Sequence, residues 1–281
     1  MDRVKIDLTP VQGTMLATLY ARALDSRTPH PILGDRTAEE VVDRIDYDWR
    51  RTGTRAPWDA AMLALRARQL DRWTGEFLSA HPRATVLHLA CGLDTRVHRL
   101  APEPSVRWLD VDYPEVVDLR RRLLPPPAGD YRMLGASVTD EDWLEQAPAD
   151  RPVVAIFEGL TMYLHEEQLR QLIQRICGRF PSGQLLFDCF SKRLVRWSRA
   201  WGRMGGSLRE VTQSWHWGLD DPRELEGWHA GLSYVDDLYV VDQPDLDRLP
   251  TAARLGLWLT ARVPGGHDSG RVLRYRFQTL P

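Results

Sequence analysis

Apolar side chains follow two different spacings along this chain, and the change of spacing divides it. Over residues 11–24 and 57–79 they recur every three or four positions, which is typical of amphipathic helices. A shorter helix is predicted over 37–45, opened by a capping-box pair. The segment 1–82 is therefore predicted to be helical.

Short apolar runs alternate with helical segments after that point. The predicted strands are 85–90, 106–112, 131–138, 153–159, 184–190 and 271–278. Helices are predicted between them, most clearly over 165–180, where Leu169, Leu172, Ile173 and Ile176 form one apolar stripe. Strands without polar alternation are buried on both faces. The pattern thus predicts an α/β protein with a doubly wound, mostly parallel sheet.

The last predicted strand has a different pattern. In 271–278 arginines alternate with Leu273, Tyr275 and Phe277, which predicts an antiparallel strand at the sheet's edge, exposed on one side. We interpret 1–281 as a single domain. Its core is 83–190, a helical cap insertion spans 191–232, and 233–281 completes the sheet.

Composition excludes several classes of protein. The net charge of −2 gives no reason to expect nucleic acid or an anionic membrane as a partner. Three cysteines without C-x-x-C spacing indicate neither a disulfide framework nor a metal site. The N-terminus has no secretory signal pattern, and no apolar run reaches the length of a membrane span. We expect a soluble, cytoplasmic protein of unknown oligomeric state.

Candidate chemistry lies where the predicted strands end. A small-residue turn, Ala90–Asp94, follows the first of these strands, and acidic residues close three others: Asp110 and Asp112, Glu158, and Asp188. Ligands of doubly wound folds bind at this edge of the sheet. An acid closing the second strand can accept hydrogen bonds from both ribose hydroxyls, in NAD and in S-adenosylmethionine alike.

The turn favours S-adenosylmethionine over a dinucleotide. A pyrophosphate is bound by a glycine-rich turn without negative charge, whereas this turn has one glycine and adds Asp94. Of Asp110 and Asp112, which point the same way, one is expected to be a solvated or capping group. Asp188 is expected to be structural, and Cys91 a small filler.

Several spaced motifs resemble one known family. LACGLDTRVHRL (89–100), WLDVDYPEVVDLRR (108–121), ASVTD (136–140) and FEGLTMYLHEEQL (157–169) are similar to the serial motifs of the leucine carboxyl methyltransferases. The bacterial branch with the tetracenomycin-type polyketide methyltransferases is the most similar, also in its N-terminal segment. The resemblance implies a class I methyltransferase fold, with a Rossmann-like, seven-stranded sheet and an antiparallel last strand, that binds S-adenosylmethionine.

The resemblance also implies roles for individual residues. Gly92 and Asp94 would line the methionine part of the cofactor, Asp112 would hold the ribose, Ser137 and Val138 would flank adenine, and Glu158 would lie under the methionine arm. Arg66, or its neighbour Arg68, would reach the cofactor carboxylate. Arg22 would lie near the transferred methyl group. Two positions depart from the family pattern: Ala90 replaces a glycine, and Ser137 replaces an acid.

The leading hypothesis is an O-methyltransferase that esterifies a small aromatic or polyketide-type carboxylic acid. Such an acceptor is already ionised at neutral pH and needs alignment more than a base. A phenolic acceptor would need one, for which Tyr163, His216 and His229 are candidates. Methylation of a peptide C-terminus, NAD-dependent oxidoreduction, and a non-catalytic binding protein remain alternatives.

Tryptophan is concentrated in the predicted cap. Five of the eleven tryptophans lie in 197–228. If the cap and the N-terminal helices roof the pocket together, these rings would suit a flat, apolar substrate. They could equally pack the cap onto the core.

Overall fold

The computed structural model describes residues 3–6, 10–52, 54, 57–202, 214–249, 251–262 and 270–279. Its N-terminal part contains three helices, α1 (Pro10–Ser26), α2 (Arg36–Arg44) and α3 (Pro57–Ala80). The three predicted N-terminal helices are confirmed. Two short strands, β1 (Val4–Lys5) and β2 (Ile45–Asp46), form a separate parallel ladder that the sequence did not predict.

Strands and helices alternate through the rest of the chain. In chain order they are β3 (Thr85–Leu89), α4 (Arg96–Leu100), β4 (Arg107–Asp112), α5 (Pro114–Leu123), β5 (Asp130–Gly135), α6 (Asp142–Glu145), β6 (Val153–Phe157), α7 (Glu166–Arg179), β7 (Ser182–Cys189), α8 (Lys192–Gly202), β8 (Leu232–Tyr239), α9 (Thr251–Arg262) and β9 (Arg271–Gln278). Short 3₁₀ turns cover Trp49–Thr52, Thr161–Tyr163, Pro222–Trp228, Val240–Asp242 and Pro244–Arg248.

Seven strands form one sheet in the order β5-β4-β3-β6-β7-β9-β8. Neighbouring strands from β5 to β7 pair in parallel, and β9 pairs antiparallel with both β7 and β8. The predicted doubly wound sheet is confirmed. The strand order reverses between β3 and β6, the place where such folds bind ligands.

The predicted position of the last strand was wrong. β9 lies inside the sheet, and Val272, Leu273 and Tyr275 are fully buried. β8 covers its outer side and is itself the edge strand. Of the two alternating arginines, Arg276 is exposed, whereas Arg274 reaches back over α3 and donates to Glu76 at 2.6 Å.

The core lies on both faces of the central strands. Every residue of β3 and β6 is buried. The predicted stripe of α7 packs there, with Leu169, Leu172, Ile173 and Ile176 fully buried. Within the described residues no helix is long and apolar enough to cross a bilayer. This packing fixes the carboxyl ends of the strands as a rigid rim.

Candidate functional site

A cavity of about 320 Å³ opens at the carboxyl ends of β3, β4 and β6. α1 covers it with Thr14, Met15, Thr18 and Arg22. Ten of the predicted site residues line this cavity: Arg22, Arg66, Ala90, Gly92, Asp94, Asp112, Ser137, Val138, Glu158 and Tyr163. The volume lies within the range of small-molecule sites. Across the described residues, no cluster of side chains is suited to hold a metal ion.

The turn Ala90–Asp94, here called the β3 turn, adopts a left-handed backbone at two positions. Ala90 has φ 50° and Gly92 has φ 49°. A side chain at Gly92 would also meet Met15, since an added Cβ would lie 3.0 Å from its Cγ. Ala90 occupies this region with a Cβ, at a cost of about 1 kcal/mol. The turn is thus tight and partly strained.

Asp112 closes β4 and faces the cavity. Its Oδ2 accepts a 2.7 Å hydrogen bond from the Gly92 amide, and its Oδ1 accepts one of 2.7 Å from the Tyr113 amide. Burial raises the pKa of Asp112, although these two amides oppose the effect. The carboxylate is oriented by the backbone and retains lone pairs for a diol.

Arg66 and Glu158 form the floor of the cavity. Arg66 Nε donates to Glu158 Oε1 at 3.0 Å, and its Nη1 donates to Asp188 Oδ2 at 2.8 Å. Asp188 also accepts a 2.6 Å hydrogen bond from the Gly159 amide. These two hydrogen bonds agree with the structural role expected for Asp188. Arg68, the alternative to Arg66, is not among the lining residues.

A buried ionic network that the sequence analysis missed lies beneath the β3 turn. Arg96 Nη2 donates to Glu158 Oε2 at 2.6 Å, and its Nη1 lies 3.0 Å from Asp94 Oδ2. Arg99 Nη1 donates to Asp94 Oδ1 at 2.9 Å. Asp71 of α3 binds both arginines. The spacing of three residues between Arg96 and Arg99 was the available signal, because it places both on one face of α4.

These contacts keep the acids of the site ionised. Burial alone would raise the pKa of Asp94, but Arg96 and Arg99 outweigh it and hold that pKa well below its usual range. Burial likewise opposes ionisation of Glu158, and Arg66 and Arg96 lower its pKa. On the floor of the cavity, carboxylates and guanidinium groups therefore balance each other's charge in fixed positions.

The sequence predicted that one of the two acids on β4 is solvated or caps an element. The environment of Asp110 does not match this prediction. Asp110 is fully buried and forms an ion pair with the fully buried Arg120. His88 Nδ1 lies 3.0 Å from its Oδ1. The prediction was wrong because the partner cation comes from α5, which β4 alone does not reveal.

Arg22 is buried at the cavity wall. Its Nη2 donates to the Leu93 carbonyl at 3.3 Å, and its Nε lies 3.6 Å from Asp35 Oδ2. That Nε has no hydrogen-bond partner among the described residues. Arg22 is therefore held at the wall by the Leu93 carbonyl and the Asp35 carboxylate.

Tyr163 also lines the cavity, near Thr14 of α1. Burial raises the pKa of its phenol, and the neighbouring polar groups of Trp215 and Thr14 oppose the effect. The phenol is therefore protonated at neutral pH. His216 and His229, the other candidate bases, are not lining residues.

The end of the cavity near β5 is both polar and apolar. Ser137 Oγ lies 2.8 Å from Thr139 Oγ1, and the Ser137 amide donates to Asp140 Oδ2 at 3.1 Å. Val138 is buried beside them. With the Ser137 side chain engaged by Thr139, this end offers an apolar slot with hydroxyl groups at its margin.

The described tryptophans of the cap pack and do not line the cavity. Trp217 is 4% exposed in the core, and its ring lies 6.1 Å from that of Trp228. Trp215 stacks on Phe190 at 4.6 Å, and Trp197 is 49% exposed. The side chain of Trp201 and residues 203–213 lie outside the described residues. Trp217 and Trp228 therefore pack the cap onto the core, which is one of the two roles predicted for these rings.

Comparisons with known proteins agree with this geometry. The family model described as leucine carboxyl methyltransferase matches residues 15–177. The chain is 44% identical to the tetracenomycin polyketide synthesis O-methyltransferase TcmP of Streptomyces glaucescens, over 97% of this chain and 98% of that protein. It is 36% identical to the S-adenosyl-L-methionine-dependent methyltransferase dpfgK of Gibberella zeae, over 86% of each. A DUF574 family protein from Streptomyces avermitilis shares the fold, with a TM-score of 0.57 and 17% identity over 92% of this chain and 97% of that one.

Proposed function

This chain belongs to the leucine carboxyl methyltransferase family, and we propose that it forms a methyl ester on the carboxylate of a small aromatic, polyketide-type acid. It is a methyltransferase that uses S-adenosylmethionine. The acceptor and the ester linkage are the proposed part. We place the reaction in the cytoplasm, where Cys91, Cys177 and Cys189, all free thiols, would stay reduced.

The cavity residues fit S-adenosylmethionine. Asp112 would hold the ribose hydroxyls, and Ser137 and Val138 would flank adenine. Glu158 and the guanidinium of Arg66 would hold the two charged groups of the methionine arm; Arg66 Nη2 makes no hydrogen bond to any described residue. The cofactor supplies a methyl group on a positively charged sulfur.

A carboxylate acceptor is supported by the state of Tyr163. Its pKa is raised, so at neutral pH the phenol can donate a hydrogen bond but cannot take a proton. Burial also raises the pKa of Cys91 well above its usual range. A phenolic acceptor would need a base, whereas a carboxylate is ionised already.

The role of the chain is then to align reactants. Arg22 carries the positive charge nearest the α1 wall and would attract the acceptor carboxylate. Tyr163 and Thr14, which lie close to each other, would fix its orientation. Holding the oxygen, the methyl carbon and the sulfur in line within near-attack distance supplies a large part of the rate enhancement.

The aromatic, polyketide-type acceptor is supported by the likeness to the Streptomyces glaucescens protein, which extends over 97% of this chain. A peptide C-terminus has no comparable support, because neither of the two relatives named above is described as acting on a peptide.

The test is the chemical nature of the product. Purified protein is incubated with methyl-labelled S-adenosylmethionine and aromatic acids that carry both a carboxyl and a phenol group. Mild alkali releases labelled methanol from a methyl ester but leaves a phenyl ether intact. Alkali-stable label would show a phenol methyltransferase and refute the proposal.

Calorimetric titration provides the control. S-adenosylmethionine and NADH are titrated separately into the wild type and into Asp112→Ala. We expect the wild type to bind the former alone and the variant to bind it at least tenfold more weakly. A wild type that binds neither would indicate a non-catalytic member of the family.

A further inference from the structure

Arg120 lies behind the β3 turn and is not among the residues that line the cavity. We propose that Arg120 is a positioning residue, which holds the β3 turn in the shape that binds the methionine arm of the cofactor. This inference rests on the cofactor site proposed above. It adds a residue that touches neither the cofactor nor the acceptor.

One nitrogen of Arg120 holds the turn at two points. Its Nη1 donates to the carbonyl oxygens of Gly92 and Asp94, each at 2.8 Å. These carbonyls flank Leu93, so a single group fixes the chain on both sides of that residue. Hydrogen bonds from a charged donor are stronger than those from a neutral one.

The guanidinium is itself held in place by Asp110. Arg120 Nη2 donates to Asp110 Oδ2, which also accepts a 2.6 Å hydrogen bond from the Tyr131 hydroxyl. Trp108 Nε1 and His88 Nδ1 lie 2.8 Å and 3.0 Å from the other oxygen. Trp108 and His88 therefore hold the carboxylate by its other oxygen without Tyr131, and through the carboxylate they orient Arg120.

Arg120 keeps this orientation although its buried Nε–H has no hydrogen-bond partner among the described residues. If Arg120 served only to neutralise the charge of Asp110, its Nη1 would not need to donate to two carbonyls of the turn. On the other side, the Gly92 amide donates to Asp112 Oδ2 at 2.7 Å. The two peptide groups that flank Gly92 are thus fixed from α5 and from β4, and release of either contact would shift the groups that face the cofactor.

The test is Arg120→Lys. Lysine keeps a positive charge beside Asp110, but its single nitrogen cannot stand both between the two carbonyls, where Nη1 lies, and against Asp110, where Nη2 lies. Binding of S-adenosylhomocysteine is measured by calorimetry well below the melting temperature of each variant. We expect the Kd to rise about tenfold, and the KM for S-adenosylmethionine to rise in parallel. The KM for the methyl acceptor should stay within about twofold.

Tyr131→Phe is the matched control. It removes a hydrogen bond to Asp110 in the same buried cluster but leaves both contacts of Arg120 with the turn. We expect it to lower the melting temperature while changing the Kd by less than about twofold. If Arg120→Lys does not fold, Asp110→Asn is measured in its place. This substitution weakens the anchor of Arg120 but leaves the arginine side chain at full length. A higher Kd supports the inference, and an unchanged Kd overturns it.

The outcomes separate this inference from the proposed function. Equal Kd values for Arg120→Lys and the wild type, or equal weakening by Tyr131→Phe, would overturn the role of Arg120 alone. A wild type that does not bind S-adenosylhomocysteine would overturn the cofactor site, and the role of Arg120 with it.

Discussion

Arg96 Nη2 donates a 2.6 Å hydrogen bond to Glu158 Oε2 across 62 residues of sequence. The guanidinium is fully buried, and the same carboxylate is bound by Arg66 at 3.0 Å. The acid that closes β6 is thereby tied to α4 and to α3. The contact joins the two halves of the cavity floor.

Glu158→Gln should destabilise the protein by about 3 kcal/mol, because it leaves two buried guanidinium groups without their shared carboxylate. Urea denaturation of the wild type and the variant measures the difference. Glu166→Gln, which removes an exposed partner of Arg170, is the control and should leave the midpoint unchanged. Equal midpoints for Glu158→Gln and the wild type would contradict the importance of this contact.

Asp94 should make folding stability depend on acid pH. Its folded pKa lies well below the usual value, so its stabilisation is fully present above about pH 4 and is lost as the pH falls toward the folded pKa. Asp94→Asn should flatten the loss of unfolding free energy between about pH 5 and pH 3. The exposed Asp118→Asn should keep the wild-type slope, and a wild-type slope in Asp94→Asn would disprove the prediction.

Ala90→Gly should not destabilise the fold. Glycine removes the strain of φ 50°, about 1 kcal/mol, which offsets its greater freedom in the unfolded chain. Ala155→Gly in the extended, buried β6 is the comparison and should lose about 1 kcal/mol or more. Chemical denaturation of the two variants decides; equal losses would show that Ala90 carries no strain.

Tyr163→Phe should lower kcat by less than about tenfold and leave its dependence on pH unchanged between about pH 6.5 and 8.5. The reason is that the protonated phenol orients the acceptor and transfers no proton. Steady-state kinetics across this range measures both quantities. A loss of about 100-fold or more, with a wild-type rate that rises with pH, would identify Tyr163 as a base.

Trp217→Ala should cost about 4 kcal/mol of stability, because the ring fills the core next to Trp228. Trp197→Ala removes an exposed ring of the same stretch and should change stability little. Thermal and urea unfolding of both variants distinguish packing from substrate contact. Similar stability of the two variants would mean that the cap is not anchored by Trp217.

The residues that line the cavity show how much of the site can be predicted from local sequence patterns. Apolar periodicity predicted the strands, and the carboxyl ends of parallel strands meet at one edge. That rule, with the family resemblance, was sufficient to predict residues as distant in sequence as Arg22 and Glu158 for one site. Each was recognised from its own motif, without knowledge of its neighbours.

The sequence by itself thus determined the parallel strands, the helices between them and ten of the residues that line the cavity. Only the tertiary structure decided that β9 lies inside the sheet, that Asp110 pairs with Arg120, and that Arg96 holds Glu158. The physical reason is that strand order and buried ion pairs depend on partners from distant elements. The sequence around an acidic residue is the same whether water or a buried guanidinium from a distant element compensates the charge of its carboxylate.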